Sequence, residues 1–307
     1  MKILIELPSW LGDSIMATPA IENILNHFYD SEITLIGSEI SIEALKNHPR
    51  VDGFRVLNKK YLSLYKTAKQ LGSYEIYFSF RGSLRSKLLK LLIRSNNKYQ
   101  FDKDIYKNRH QVEKYNDFIN EVIDQNLAAG PMILHTNKSN KKNNNKVLGI
   151  NPGSSYGNAK RWYPREFAKV ASELSTQFDI NIYGGPNEVS IANEIEKILV
   201  EMGVKNFKNL AGTTTISDVI KSIAKLDLFI TGDSGPMHIA ACFNIPTIAI
   251  FGPTRDDETS QWMNIQNINI KKNLTCQPCM KRTCPLGHHD CMKLIKAVDV
   301  LKAVKSL

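Results

Sequence analysis

Short apolar runs alternate with segments of helical spacing along most of this sequence, and that alternation leaves few folds open. Strands joined by helical crossovers run parallel, so the pattern implies parallel sheets with helices packed on their faces. Lys2 to Leu7 reads as a buried strand, and Ser14 to Phe28 as a helix carried by Ile15, Ala17, Ile21, Ile24, Leu25 and Phe28. Further strands are expected at 33–36, 54–57 and 75–80, with helices around Ile40 to Lys46, Tyr61 to Leu71 and Leu84 to Arg94. In the last of these, Leu84, Leu88, Leu91 and Leu92 form an apolar stripe expected to face the core.

Residues 137–146 contain no apolar side chain, cannot add to a core, and read as a linker or exposed loop. The pattern restarts with strand Val147 to Asn151, a helix from about Pro164 to Ser175, strand Ile180 to Tyr183 and a helix from about Glu188 to Met202. A helix around Ser217 to Ala224, strand Leu228 to Thr231, a helix around Met237 to Cys242 and strand Thr247 to Phe251 follow. The expected division of the 307 residues is a first domain over 1–140 and a second over 147–307, with a closing helix near Met292 to Val304 packed back on the first.

A content of 42% hydrophobic and 23% charged residues excludes disordered and fibrous classes. No apolar run approaches the roughly 18 residues of a membrane span, and Glu6 comes too early for a signal peptide, so a cytoplasmic protein is expected. Five cysteines, an odd number, argue against a disulfide framework and for reduced thiols or a metal site. The net charge of +10 favours an anionic partner: nucleic acid, a phosphorylated sugar or an acidic membrane surface.

Ligands of open α/β sheets bind beyond the carboxyl ends of the strands, which directs attention to the loops after Leu7, Asn151, Tyr183 and Thr231. Pro8 to Ser14 contains Gly12 and Asp13; Asp13 either caps the following helix or faces the cleft as a general base. Pro152 to Trp162 supplies small residues, the hydroxyls of Ser154 and Ser155, and the cations Lys160 and Arg161, the parts that hold phosphates. Gly232 to His238 turns into a helix whose first N–H groups and dipole attract a diphosphate; Asp233 and His238 could equally serve as turn and packing residues. Glu188, after Gly184 and Gly185, could accept hydrogen bonds from ribose hydroxyls.

Together, the Gly12-Asp13 turn, Asn151-Pro152-Gly153 leading to Ala159-Lys160-Arg161-Trp162, and Gly232-Asp233-Ser234-Gly235 to His238 followed by Phe251-Gly252-Pro253-Thr254 resemble the ADP-heptose lipopolysaccharide heptosyltransferases, glycosyltransferase family 9. The resemblance spans residues 1 to about 300 and is strongest from Asn151 to Thr254. Pro8-Ser9-Trp10 and Ser155-Tyr156-Gly157 look more like the branch that adds the second heptose. It implies a GT-B fold, two Rossmann-like parallel-sheet domains facing a cleft, with acceptor bound by the first and donor by the second. It also implies inverting transfer from ADP-heptose to an anionic glycolipid acceptor, the heptosylated Kdo-lipid A inner core, without a cofactor.

By the same resemblance, Asp13 takes the catalytic-base position, Lys160 neutralises the departing diphosphate, and the Ser234 and Gly235 amides hold its oxygens. Ser154 and Ser155 fall on the phosphate side, Asp233 and His238 on donor-site positions, Glu188 near the ribose, and Thr214 and Thr215 beside the base. Trp10, Arg81 and Arg85 are candidate acceptor contacts. The basic residues Arg81, Arg85, Lys87, Lys90 and Arg94 could meet phosphorylated core sugars and the anionic inner leaflet, placing a monomeric protein at the cytoplasmic face of the inner membrane; a merely solvated basic face is the equal alternative.

Cys276, Cys279, Cys284 and Cys291, with His288 and His289 nearby, supply enough soft ligands for a structural zinc site, although the spacing is not that of a standard finger; reduced thiols packed under a loop are the rival. A sugar-nucleotide epimerase would share the double-domain plan. Nucleic-acid binding has charge alone in its favour, and the missing Gly-x-Gly-x-x-Gly turn after the first strand disfavours a nicotinamide dehydrogenase.

Overall fold

The computed structural model describes residues 1–58, 60–136 and 145–307. The chain divides into two compact units, Met1–Thr136 and Asn137–Leu307. Of the expected linker 137–146, residues 137–144 lie outside the described residues.

The first unit runs β1 (Lys2–Glu6), α1 (Leu11–Met16), α2 (Thr18–His27), β2 (Glu32–Gly37), α3 (Glu39–Leu45), β3 (Gly53–Val56), α4 (Tyr61–Leu71), β4 (Ser73–Ser79), α5 (Leu84–Leu92), β5 (Arg94–Gln100) and α6 (Gln111–Ile123). Its five strands pair in the order β3-β2-β1-β4-β5, all parallel. The order reverses between β1 and β4, where Glu6 lies opposite Ser79, and the strand ends at such a reversal are where ligands of open α/β sheets bind.

The expected helix over 14–28 is two helices. Pro19, in the first turn of α2, has no N–H to offer the Ile15 carbonyl, and the Thr18 hydroxyl donates to that carbonyl instead at 2.7 Å. Helix α5 also differs from expectation. Leu84 and Leu91 are 83% and 76% exposed, while the side facing the sheet is formed by Ser86, Leu89 and, just past the helix, Ile93. Ser86 donates to the buried Glu6, and Leu89 and Ile93 pack with Leu4, Ile36, Leu64 and Tyr77, which turns Leu84, Leu88 and Leu91 outward, while Leu92 packs against this core as expected.

The second unit runs β6 (Lys146–Asn151), α7 (Pro164–Leu174), β7 (Phe178–Ile182), α8 (Val189–Glu201), β8 (Phe207–Asn209), α9 (Ile216–Ile223), β9 (Leu228–Gly232), α10 (Gly235–Cys242), β10 (Thr247–Ile250), α11 (Asp256–Thr259), β11 (Asn267–Ile270), α12 (Asp290–Lys293) and α13 (Ala297–Val304). The parallel sheet has the order β11-β10-β9-β6-β7-β8 and reverses between β6 and β9, where Asn151 lies opposite Thr231. Leu148, Ile150, Ile230 and Ile248 of the sheet meet Trp162, Phe167 and Ala171, and α13 adds Val300 and Ala303 to that same core. Trp162, 1% exposed, donates from its indole to the Ile295 carbonyl at 2.9 Å, fixing the chain that enters α13.

At the end of the first unit, Glu22, His48 and His135 bring their ligand atoms within 4.8 Å of one another. The Arg50 amide donates to His48 Nδ1 at 3.2 Å, so Nε2 carries the proton that is shared with Glu22 at 2.6 Å, and this ring is a donor rather than a metal ligand. His135 stacks edge-on against His48, and its buried Nε2 has no hydrogen-bond partner among the described residues. Burial, then the neighbouring His48, lowers the His135 pKa below the ordinary histidine value. The unfolded chain therefore takes up this proton first as pH falls, so the contribution to stability is full above about pH 6.5 and is lost below it. Thermal unfolding at pH 7.5 and 5.5 should show a larger drop in midpoint for wild type than for His135→Leu; equal drops would place the acid sensitivity elsewhere.

Candidate donor and acceptor sites

The reversal point of the second sheet gathers most of the residues singled out in the sequence. Asn151, 2% exposed at the end of β6, donates from Nδ2 to the Ser234 hydroxyl at 3.1 Å and lies 3.4 Å from the Thr231 hydroxyl, tying the β6 loop to the β9 loop. Ser234 caps α10 in an extended conformation, with Gly235 and Pro236 in the first turn, so the amides of Ser234 and Gly235 lie at the positive end of an eight-residue helix. His238 is buried in the same helix.

Lys160 and Asp233 form an ion pair at 2.5 Å, with side chains only 12% and 5% exposed. The Thr254 hydroxyl donates to the same carboxylate oxygen at 2.6 Å. The Lys160 ammonium also lies 4.7 Å above the centre of the Tyr156 ring, a cation–π arrangement. One buried carboxylate therefore fixes a lysine on the loop after β6 and a threonine on the loop after β10, beside the start of α10. Ser154 is buried in the same loop and Ser155 is exposed.

Glu188 ends a 3-10 turn, Pro186–Glu188, and its carboxylate accepts from the Gly185 amide at 2.7 Å. A side chain at Gly153 would place its Cβ 2.1 Å from the Glu188 carboxylate carbon, so Gly153 is what lets the β6 loop close over that acid. The Gly212 amide donates to the Gly184 carbonyl at 2.9 Å, which brings the Thr213 to Thr215 segment against the Glu188 loop. Thr215 is the N-cap of α9: its hydroxyl donates to Asp218 at 2.6 Å and accepts from the Asp218 amide at 3.2 Å. Thr214 lies 3.5 Å from the Leu210 carbonyl.

In the first unit, Asp13 lies within α1 rather than before it; Trp10 holds the N-cap position and no side chain caps the helix. Asp13 is half-buried near Tyr115, whose hydroxyl pKa is raised by burial and then by the Asp13 charge. Three serine hydroxyls brace the loop that leads to it: Ser41 donates to the Pro8 carbonyl at 2.6 Å, Ser38 to Ser9 at 2.9 Å and Ser14 to Trp10 at 2.9 Å. The Trp10 indole is half exposed.

Arg81 and Arg85 follow β4. Glu6, fully buried at the end of β1, accepts from Tyr77 and Ser79 at 2.7 Å each, from Ser86, and from Arg81 at 3.3 Å. Burial and then the Arg81 charge lower the Arg85 pKa, and its Nε is buried without a partner. Arg81 is paired with Glu6, whereas Arg85 donates to the Asn58 carbonyl, so among the described residues two guanidinium groups follow β4 and one of them meets a carboxylate. Glu6 and Thr254 were not among the expected site residues; Glu6, an acid inside an otherwise apolar strand, is the signal that could have marked it.

Cys276, Cys279, Cys284 and Cys291 line one cavity of about 20 Å³ with Ala159, Pro253 and His289, among others. All are free thiols, and burial, reinforced by Cys284, Cys276 and Cys279, pushes the Cys291 thiol up to about 11. Cys242 stands apart in α10, and burial raises its pKa.

Two parallel-sheet units with candidate binding loops at their reversal points define an α/β enzyme of the GT-B class. Residues 64–289 match glycosyltransferase family 9 (heptosyltransferase). The chain is 42% identical to lipooligosaccharide heptosyltransferase 2 of Campylobacter jejuni, over all of this chain and 98% of that one. Its fold is similar to that of the glycosyl transferase family 9 protein from Veillonella parvula (TM-score 0.83, 20% identity, 99% and 96% of the two chains). It is also similar to that of the E. coli ADP-heptose lps heptosyltransferase II (TM-score 0.80, 21% identity, 100% and 98%). The chain belongs to glycosyltransferase family 9 and is a glycosyltransferase. Among the described residues no helix is long and apolar enough to cross a membrane.

The buried ion pair has a measurable consequence. Lys160→Met strands the Asp233 charge and should cost about 3–5 kcal/mol of stability, whereas Thr254→Val removes one hydrogen bond to a charged group, about 1.5–3 kcal/mol. In an Asp233→Asn background both effects should shrink. Urea unfolding of the single and double variants checks this; additive, unchanged costs would mean that the three side chains are not energetically coupled.

Proposed function

We propose that this chain transfers L-glycero-D-manno-heptose from ADP-heptose, with inversion, to the heptosylated Kdo-lipid A inner core. The observation that carries the reading is the Lys160–Asp233–Thr254 group beside the start of α10, a cation and helix amides gathered where a diphosphate would sit. The 42% identity to a lipooligosaccharide heptosyltransferase 2 supports the choice of sugar and step.

In this reading Asp13 accepts the proton of the acceptor hydroxyl as that oxygen attacks the anomeric carbon. The bond from the anomeric carbon to the β-phosphate oxygen breaks, and ADP leaves with the electron pair. Lys160 neutralises the developing charge and the Ser234 and Gly235 amides hold the phosphate oxygens, with Ser154 and Ser155 on the same side. Glu188, Thr214 and Thr215 face the nucleoside, and Asp233 and His238 position the donor. Trp10, Arg81 and Arg85 take the anionic acceptor, and Glu6 holds Arg81 in place for it. The roles need one copy of the chain only, in keeping with a monomer.

ADP release and product mass should show one added heptose on the monoheptosylated acceptor, with kcat reduced about 10²–10⁴-fold in Asp13→Ala and about 10²–10³-fold in Lys160→Ala. Addition to unheptosylated Kdo2-lipid A instead would keep the family but move the step one sugar earlier. Turnover unaffected by Asp13→Ala would remove the base assignment.

The acceptor is an amphiphile, and α5 suits a protein working at an anionic membrane surface on the cytoplasmic side. It exposes Leu84, Leu88 and Leu91 next to exposed Lys87 and Arg94, and the neighbouring α4 exposes Tyr61 and Tyr65. Apolar side chains flanked by cations are the composition that binds such a surface, each cation contributing about 1 kcal/mol. Cosedimentation with phosphatidylglycerol vesicles should fall about fivefold or more in Lys87→Glu/Arg94→Glu and in Leu84→Ser/Leu91→Ser. Equal binding by all three proteins would locate membrane contact elsewhere.

A further inference from the structure

The segment 271–289, between β11 and α12, contains no helix or strand. Loops of this length inside a compact domain need something other than backbone pairing to hold their shape. Leu274 packs against the core at the start of the segment, but further along Met280 and Leu286 are 48% and 62% exposed. Yet the segment makes specific contacts with both loops that carry the candidate donor residues. The Ala159 amide donates to the Arg282 carbonyl at 3.1 Å and His289 Nε2 lies 2.9 Å from the Ala159 carbonyl, one residue before Lys160. On the other side, the Gln277 side chain donates to the Gly252 carbonyl at 2.6 Å and the Met280 amide to the Pro253 carbonyl at 2.9 Å, one residue before Thr254. Tyr156 donates to the Met280 carbonyl at 2.7 Å, and its ring has Lys160 at 4.7 Å and Arg282 at 5.5 Å. A Cβ on Gly157 would come within 2.3 Å of the Arg282 carbonyl oxygen.

We propose that Cys276, Cys279, Cys284 and Cys291 together bind one divalent thiophilic metal ion, and that this ion clips segment 271–289 against the loops that present Lys160 and Thr254. The four cysteines line a single cavity whose volume of about 20 Å³ admits one ion. Of the two histidines beside it, His289 is engaged through both ring nitrogens and His288 through Nδ1. His289 faces Ala159 through Nε2 and the Tyr163 hydroxyl, at 3.2 Å, through Nδ1, and His288 Nδ1 accepts from the Asp290 amide at 3.0 Å. The four cysteines alone complete a tetrahedral all-sulfur ligand set, the preference of zinc or ferrous iron in a closed structural site. No three of the sulfurs lie within 4.8 Å of one another, whereas metal–sulfur bonds of about 2.3 Å in a tetrahedron require edges of about 3.8 Å. Binding therefore draws the side chains inward, and each ligating thiol gives its proton to solvent.

The metal claim is independent of the donor reading, and the test separates them. Protein purified without a metal column should hold close to one equivalent of zinc or iron by elemental analysis. Chelator-stripped protein should take up one equivalent of Zn²⁺, or of Fe²⁺ under anaerobic conditions, with four thiols becoming unreactive towards a disulfide reagent. Co²⁺ in the same site should give the intense near-ultraviolet bands of thiolate ligation. Stripping wild type, or Cys276→Ser/Cys279→Ser, should speed amide hydrogen exchange at residues 156–161 and weaken ADP binding about tenfold or more, with the circular dichroism of the sheets retained. Absence of near-stoichiometric metal, with thiols equally reactive with and without Zn²⁺ or Fe²⁺, overturns the site. Metal uptake that leaves hydrogen exchange at residues 156–161 unchanged overturns the clip. A metal-loaded protein that binds no ADP, yet slows exchange there, retains the clip and removes the donor reading instead.

Discussion

A charge buried in an α/β interior must be met by donors or the structure loses several kilocalories per mole, and each unit of this chain is organised around one such carboxylate at the reversal point of its sheet. In the first it is Glu6, fully buried, which collects Tyr77 from β4, Ser79 and Arg81 from the end of that strand, and Ser86 from α5. In the second it is Asp233, which collects Lys160 from the β6 loop and Thr254 from the β10 loop. Loops that would otherwise have several conformations of similar energy are thereby tied to a strand end. The same bonds put the functional cations where they are: Arg81 and Lys160 are held by acids they cannot leave without a replacement anion. In the proposed function a sugar diphosphate at one position and a phosphorylated glycolipid at the other are anions of that kind, and the bonds that stabilise each loop would then also tune it to its substrate.

The paired order of the strands does the rest. Because every connection is a parallel crossover, all loops after strands emerge on one edge of each sheet, and only at the reversal point do neighbouring loops diverge and leave a crevice. Asn151 opposite Thr231 and Glu6 opposite Ser79 are the residues at those points, and in both cases their side chains bond across the gap rather than filling it with apolar bulk.

What the residues alone revealed follows from this architecture. Central strands such as Lys2–Glu6 and Leu228–Gly232 are buried on both faces and read as continuous apolar runs. The strands that escaped reading, Arg94–Gln100, Phe207–Asn209 and Asn267–Ile270, are all at sheet edges, where one side faces solvent and the sequence turns polar or short. Helix α6 was equally opaque, because Lys114 and Asn116 are buried among its apolar residues; Asn116 is met by Asn23 of α2 at 2.7 Å, a satisfaction that only the tertiary structure displays. Leu84, Leu88 and Leu91 of α5 misled for the opposite reason. Their spacing is right for a core face, but the helix is turned by Ser86 reaching for Glu6, a polar contact with stronger directional demand than the burial of any one leucine.

The candidate sites divide along the same line. Around the second sheet, the residues sit in contiguous loops, so Asn151 to Trp162 and Gly232 to His238 carry their chemistry in order and are legible as motifs. Around the first, Glu6, Asp13, Arg81 and Arg85 come from three separate segments, and nothing local distinguishes an arginine that shares a buried carboxylate from one that is merely solvated. A diphosphate is the same group in every donor, and one arrangement of loop, lysine and helix end suffices to hold it. The acceptor side must instead match a larger and more variable anion, and its groups are set by side chains from several elements whose register is fixed by packing. With the acceptor bound as proposed, its specificity would reside in tertiary contacts such as Glu6 to Arg81, and could change through residues that never touch the sugar.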